Sequence, residues 1–149
     1  MSPQVDVIIP ALNEAESLPH VLRDLPRSLI RSVIVVDNGS TDGTADVARA
    51  GGAIVLHQPE RGYGAACLLG IDYALHRTGE GPADVLAFID GDYSDYPEQL
   101  EQLLDPILSG EADFVLGSRV LGQRTGRSLM PAQRFGNALA TWLIRLLYG

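Results

Sequence analysis

An α/β fold with a mainly parallel central sheet flanked by helices is predicted by two features of this sequence. Short β-branched runs alternate with helical stretches along the whole chain, and polar, carboxylate-bearing loops follow three of those runs. Residues 5–9 (Val-Asp-Val-Ile-Ile), halted by Pro10, read as the first strand. A helix follows over about 17–25, with Ser17 as its cap, Pro19 in the first turn and Pro26 as its stop. Residues 33–36 form a second apolar run, ending in a polar loop from Asp37 to Gly43 whose Thr41 or Asp42 can cap the next helix. That helix runs to Gly51-Gly52, and residues 53–56 are a third strand. Gly62-Tyr63-Gly64 opens a helix through His76 with Leu68, Leu69, Ile71 and Leu75 as its apolar stripe. Residues 84–89 make a fourth strand. A helix from Pro97 to near Gly110, a fifth strand at 114–116 and a last helix at 132–148 complete the reading as one domain, 1–149.

Composition narrows the function. With 46% hydrophobic and 20% charged residues the chain is a globular one, not a disordered one. The single cysteine, Cys67, excludes an internal disulfide framework, and three scattered histidines give no zinc spacing. No apolar run reaches the roughly 18 residues of a membrane span, and the first five residues lack signal-peptide character, so a cytoplasmic location is expected. Up to Asp113, nineteen acidic residues against six arginines leave a charge of −13; from Phe114 onward five arginines and no acidic residue leave +5. An acidic body disfavours nucleic acid, whereas a basic tail suits phosphate or an anionic surface. Lysine is absent, which excludes any mechanism that needs a catalytic lysine.

In open α/β sheets ligands bind beyond the carboxyl ends of the strands. Three such ends carry Pro10–Glu14, Asp37–Asp42 and Asp90–Asp95. Taken singly, Asn13 and Glu14 can begin a helix, Asp37 can satisfy a turn, and Asp95 has capping-box spacing to Glu98. Asp90-Gly91-Asp92 is different: two carboxylates one residue apart repel, Gly91 permits a tight bend, and a hard cation relieves the repulsion. Mg²⁺ or Mn²⁺ is typically held by one or two carboxylates plus substrate phosphates.

Together, Val7-Ile8-Ile9-Pro10-Ala11-Leu12-Asn13-Glu14, Val35-Val36-Asp37-Asn38-Gly39-Ser40-Thr41-Asp42-Gly43-Thr44 and Asp90-Gly91-Asp92 resemble the inverting family 2 glycosyltransferases. Residues 90–98, Gly117-Ser118-Arg119 and Arg134-Phe135-Gly136-Asn137 are most similar to the dolichyl- or polyprenyl-phosphate hexose synthases of that family. The resemblance implies a Rossmann-like GT-A nucleotide-sugar domain. It implies that Pro10, Leu12 and Glu14 cradle the nucleotide base, that Asp37 accepts a hydrogen bond from it, and that Arg61 covers the nucleotide. Asp90 and Asp92 would hold the ribose and the Mg²⁺ or Mn²⁺ bridging the diphosphate, and Arg119 and Arg134 would hold phosphate, forming with Asp92 the catalytic set. Guanidinium forks suit phosphate because they bind its oxygens bidentately.

The implied partners are a UDP- or GDP-linked sugar, a polyprenyl or dolichyl phosphate acceptor, the inner face of a membrane touched peripherally, and a second copy of the chain. The apolar segment 138–148 reads either as a helix packed into the core or as an interfacial one. Ser94 replaces a common glutamine, Asn38 a second acidic residue and Leu12 a frequent aromatic. Relatives also continue past the last helix into an acceptor segment, so the domain is expected to be incomplete at its C-terminus. Two other readings compete. A haloacid dehalogenase-like phosphatase matches the Asp-x-Asp loop but needs a lysine; a nucleotide-sugar-binding module without catalysis needs only the loops.

Overall fold

The computed structural model describes residues 3–118. By its internal contacts the chain divides into two compact units, Met1–Val115 and Leu116–Gly149. The sheet, its helices and the cleft described below all belong to the first.

Four parallel strands stand in the order β3-β2-β1-β4: β1 is Val5–Ala11, β2 Ser32–Asp37, β3 Ile54–His57 and β4 Val85–Phe88. β1 and β2 are continuous apolar runs because both faces of the sheet are covered, the usual state of a parallel sheet. Val5, Val7, Ile9 and Ala11 of β1 face one cluster, which also holds Leu18, Val21 and Leu22 of α1 (Leu18–Asp24), Ala48 of α2 (Thr44–Ala50), and Leu100 and Leu104 of α4 (Leu100–Leu108). Ile8 of β1, with Ile34 and Val36 of β2, faces the other cluster, covered by α3 (Tyr63–His76).

Of the apolar stripe the spacing predicts on α3, Leu69 and Ile71 pack against this second cluster half-buried, but Leu68 and Leu75 do not. The buried residues of α3 are Ala66, Gly70 and Ala74, whereas Leu68 is 68% exposed and Leu75 also lies open. Small residues at four-residue spacing bring the helix axis close to the sheet. A Cβ on Gly70 would stand 2.6 Å from Ile8 Cγ2, so the approach leaves no room for one. Tight packing outranks residue hydrophobicity at this face.

Asp6, fully buried in β1, is paired bidentately by Arg31, with Nε 2.9 Å from Oδ1 and Nη2 2.6 Å from Oδ2. Arg31 Nη1 also donates to the Glu80 and Gly81 carbonyls, tying the segment before β4 to the amino end of the sheet. A buried carboxylate is tolerated here because its partner and the hydrogen bonds come with it.

Several caps and one strand differ from expectation. Ser17 stands at the N-cap of α1 without capping it, because its hydroxyl is turned to Glu14 and Gly91. Gly43, in the left-handed region at φ 90°, takes the N-cap of α2 in place of Thr41 or Asp42. Pro97–Gln99 forms a 3₁₀ turn before α4, with Tyr96 in the N-cap position where Asp95 was expected. Residues 114–118 carry no regular secondary structure where a fifth strand was predicted. A three-residue apolar run cannot by itself distinguish a strand from an extended segment. The predicted helix at 132–148 lies outside the described residues.

Candidate active-site cleft

The strand order reverses direction between β1 and β4, and that topological switch point is where an open α/β sheet leaves a crevice. Ile89 N donates to Ile8 O just beyond the last β4 pair, so the chain entering Asp90 runs beside Pro10 at the carboxyl edge. A cleft of about 370 Å³ opens there. It is lined by Pro10, Ala11, Leu12 and Glu14 after β1, by Asn38 after β2, by Arg61, Gly62, Tyr63 and Ala66 at the start of α3, and by Asp90, Gly91 and Asp92 after β4. The volume falls within the range of small-molecule sites.

Six of the sequence-predicted residues thus line one cleft: Pro10, Leu12, Glu14, Arg61, Asp90 and Asp92. Asp37 is buried at the end of β2 and does not line it. Its Oδ1 accepts from the Ser40 amide at 3.0 Å and its Oδ2 lies 3.5 Å from His57 Nδ1. Arg119 and Arg134 lie outside the described residues.

The loops after β1 and β2 are stitched together. Asn13, left-handed at φ 58°, receives the Thr41 amide on its Oδ1, and its own amide reaches Ser40 Oγ. The Glu14 amide donates to Thr44 Oγ1, which donates in turn to Asp42 Oδ1; Asp42 Oδ2 accepts from the Ala15 amide. These bonds, Thr44 foremost, hold the Asp42 carboxyl below its ordinary range. Loop polarity here is consumed in building a rigid wall.

Asn38 is the residue the sequence reading undervalued. At 6% exposure, its Nδ2 donates to the carbonyls of Gln58 (3.0 Å) and Glu60 (2.7 Å), and its Oδ1 accepts from the Gly62 amide (2.8 Å). Two carbonyls and one amide fix the orientation of the carboxamide, and together they hold the segment that presents Arg61 and Tyr63. Tyr63 was also missed. Its hydroxyl stands 3.3 Å from Asp90 Oδ1, and burial together with that carboxylate pushes the phenol up to about 12. It therefore keeps its proton at neutral pH and donates a hydrogen bond to Asp90. Gly62-Tyr63-Gly64 was legible only as a helix start.

The Asp90–Ser94 loop turns at Gly91 and Asp92, as expected, with Gly91 outside the left-handed region, and then enters that region at Tyr93, φ 58°. Asp92 is exposed, and its Oδ1 accepts from the Ser94 amide at 2.9 Å. The donor set fits a hard divalent cation: two carboxylates flank a single glycine at the cleft, and all the donors are oxygen. Among the described residues no group of three or more His, Cys, Asp or Glu side chains gathers to hold a metal, so such an ion would need oxygens from a bound diphosphate.

A parallel sheet with covered faces, a cleft at its switch point and paired carboxylates at the cleft define a GT-A type nucleotide-sugar fold. The chain matches the profile of glycosyl transferase family 2 over residues 6–148, and it belongs to that family. It is 34% identical to the low-salt glycan biosynthesis hexosyltransferase Agl6 of Haloferax volcanii, covering 100% of this chain and 36% of that protein. It is 42% identical to the undecaprenyl-phosphate mannosyltransferase of Micrococcus luteus, covering 78% of this chain and 48% of that one. Glucosyl-3-phosphoglycerate synthase from Mycobacterium tuberculosis, crystallised with Mn²⁺, uridine diphosphate and glucosyl-3-phosphoglycerate, superposes with a TM-score of 0.62 at 29% identity. That match covers 73% of this chain and 41% of the synthase. In each case the chain spans less than half of the relative's length. Among the described residues no helix is long and apolar enough to cross a membrane.

Proposed function

We propose that this protein is a metal-dependent inverting glycosyltransferase that moves a hexose from a UDP- or GDP-linked sugar to a polyprenyl or dolichyl phosphate. The observation that carries the reading is the cleft at the β1–β4 switch point, lined by Pro10, Leu12, Glu14, Arg61, Asp90 and Asp92. The mannosyltransferase relative is named for an undecaprenyl phosphate acceptor, and the solved neighbour holds uridine diphosphate and Mn²⁺.

In this reading Pro10, Leu12 and Glu14 cradle the base, and Asp37, buried behind the cleft lining, accepts a hydrogen bond from the base once a nucleotide opens access to it. Asp90, steadied by Tyr63, and Asp92 hold Mg²⁺ or Mn²⁺ and the ribose. The ion supplies positive charge against the diphosphate leaving group. An ionised oxygen of the acceptor phosphate attacks the anomeric carbon from the face opposite the diphosphate. The anomeric C–O bond breaks with its electron pair passing to the departing phosphate. Such an attacker needs no general base, since it carries no proton to remove. Arg119 and Arg134 are the residues assigned to phosphate, for which a guanidinium fork is suited, and a membrane surface presents the lipid. The chain acts as one nucleotide-sugar domain over 1–149, at the inner face of the membrane and with a second copy as partner.

Thermal melting with UDP-glucose or GDP-mannose, with and without Mn²⁺, tests this. At a hundred times its dissociation constant the correct donor adds about 2.7 kcal/mol of stability. The expected result is metal-dependent stabilisation by one nucleotide, abolished by Asp92→Asn. Stabilisation without sugar transfer to a polyprenyl phosphate would favour a nucleotide-sugar-binding module instead. No stabilisation by either donor would overturn the reading.

A further inference from the structure

Among the described residues only Asn13 and Tyr93 are non-glycine residues at positive φ, and both flank the cleft. Asparagine enters the left-handed region readily; a bulky tyrosine does so only where its surroundings hold it there. The surroundings of Tyr93 are a set of side chains on α1. The Tyr93 hydroxyl donates to Asp24 Oδ2 at 2.5 Å, and its ring packs on His20 with centroids 5.5 Å apart. Asp24 is anchored by Arg23, whose Nε and Nη2 lie 2.7 and 3.0 Å from its two oxygens, while Arg23 Nη1 lies 3.2 Å from His20 Nδ1. The other end of α1 grips the same loop through Ser17 Oγ, 2.8 Å from the Gly91 carbonyl. Helix α1 therefore holds the Asp90–Ser94 loop at two points, one on each side of Asp92.

We propose that Tyr93, with Asp24 and His20, is a latch that positions the Asp92 carboxylate for the divalent cation and its nucleotide. This rests on the glycosyltransferase reading above, in which Asp92 holds the metal. None of the three latch residues lines the cleft, so they act through the loop and not on the ligand. The geometry supplies the link. Tyr93 directly follows Asp92, and the Ser94 amide that Asp92 Oδ1 accepts directly follows Tyr93. The left-handed turn at Tyr93 is what brings that amide back onto the carboxylate. If the hydroxyl lets go of Asp24, nothing obliges a tyrosine to keep φ at 58°, and the Asp92 side chain loses its fixed direction. Asp24 suits an anchor because it stays ionised: Arg23 foremost, and then Tyr93, hold its carboxyl down at about 2.

The experiment pairs two readouts on the full chain: hydrogen exchange of the 90–96 segment without ligand, and the Mn²⁺ concentration giving half of the nucleotide-dependent melting shift. Tyr93→Phe keeps the ring on His20 and removes only the hydroxyl; Asp24→Asn weakens the acceptor. Each is expected to speed exchange in 90–96 about tenfold and raise the Mn²⁺ half-saturation about five- to tenfold, with the ligand-free melting temperature within a few degrees of wild type. The double variant should be no worse than either single one, because both break the same bond. Arg49→Ala, which removes an exposed ion pair with Asp46 on α2 and touches none of the latch residues, should leave Mn²⁺ half-saturation unchanged. Wild-type exchange rates with an unchanged Mn²⁺ response would overturn the latch while leaving the glycosyltransferase reading intact. Faster exchange in a protein whose wild type shows no Mn²⁺-dependent nucleotide binding would overturn that reading, and the metal-positioning role with it.

Discussion

Replacing Asn38 tests the view that one buried carboxamide holds a wall of the cleft. Its three hydrogen bonds all go to backbone groups of residues 58–62, and Asn38→Ala removes all of them. At about 0.5–1.5 kcal/mol net for each bond, the loss sums to roughly 2–4 kcal/mol. At about 2–4 °C per kcal/mol for a chain of this size, the melting temperature should fall by roughly 5–15 °C. Asn38→Asp is the sharper perturbation, since it is nearly isosteric. It keeps the acceptor for the Gly62 amide but points a carboxylate oxygen, in place of the carboxamide NH₂, at the Gln58 and Glu60 carbonyls. Two acceptors facing a third, negatively charged one push the new carboxyl's pKa up. A raised carboxyl pKa destabilises as pH climbs through the ordinary carboxylate range, so this variant should melt closer to wild type at pH 4.5 than at pH 7.5. The assay is thermal melting of the three proteins at both pH values, followed by nucleotide titration. Nucleotide binding should weaken in both variants, because Arg61 and Tyr63 are presented by the freed segment. A variant as stable as wild type at pH 7.5 would refute the reasoning, and so would Asn38→Asp melting further below wild type at the acid pH than at pH 7.5.

Arg31→Ala leaves Asp6 as a buried carboxylate without its partner; the expected loss is about 3–5 kcal/mol, measured by urea denaturation. Gly70→Ala places a methyl 2.6 Å from Ile8 Cγ2. The roughly 1–3 kcal/mol cost of overpacking should outweigh the helix-propensity gain of about 1 kcal/mol, so the melting temperature should fall despite the better helix former. Because Asp24 is held down at about 2, it contributes stability that is full above its ordinary range and fades as pH falls toward 2. The stability difference between wild type and Asp24→Asn should therefore be flat from pH 7 to about 5 and shrink below about 4.

The strands and their order in the chain were legible in the sequence because apolar runs bounded by Pro and Gly have few other ways to fold. The grouping of carboxylates at the carboxyl edge was legible too, since parallel strands put the loop after each strand at the same end of the sheet. Pro10, Leu12, Glu14, Arg61, Asp90 and Asp92 come together for that reason. Side-chain direction was not legible. Leu68 reads as core by composition and is exposed, because the helix is seated on Ala66, Gly70 and Ala74, with Leu69 and Ile71 packed beside them and Leu68 turned away. Ser17 reads as a cap by position, yet its hydroxyl serves Glu14 and Gly91, the latter 74 residues away. The turn at Gly91 was legible, but the left-handed Tyr93 after it was not, because contacts with α1 hold a backbone conformation that local preference disfavours.

The sequence by itself determined the fold class, the family and the identity of the carboxylates at the cleft, because those depend on local pattern and residue type. Only the tertiary structure decided what holds the site in shape. Asn38 to residues 58–62, Tyr63 to Asp90, and Tyr93 to Asp24 join residues 20 to 69 positions apart. No local pattern encodes such pairings; they exist only once the sheet has set its loops side by side.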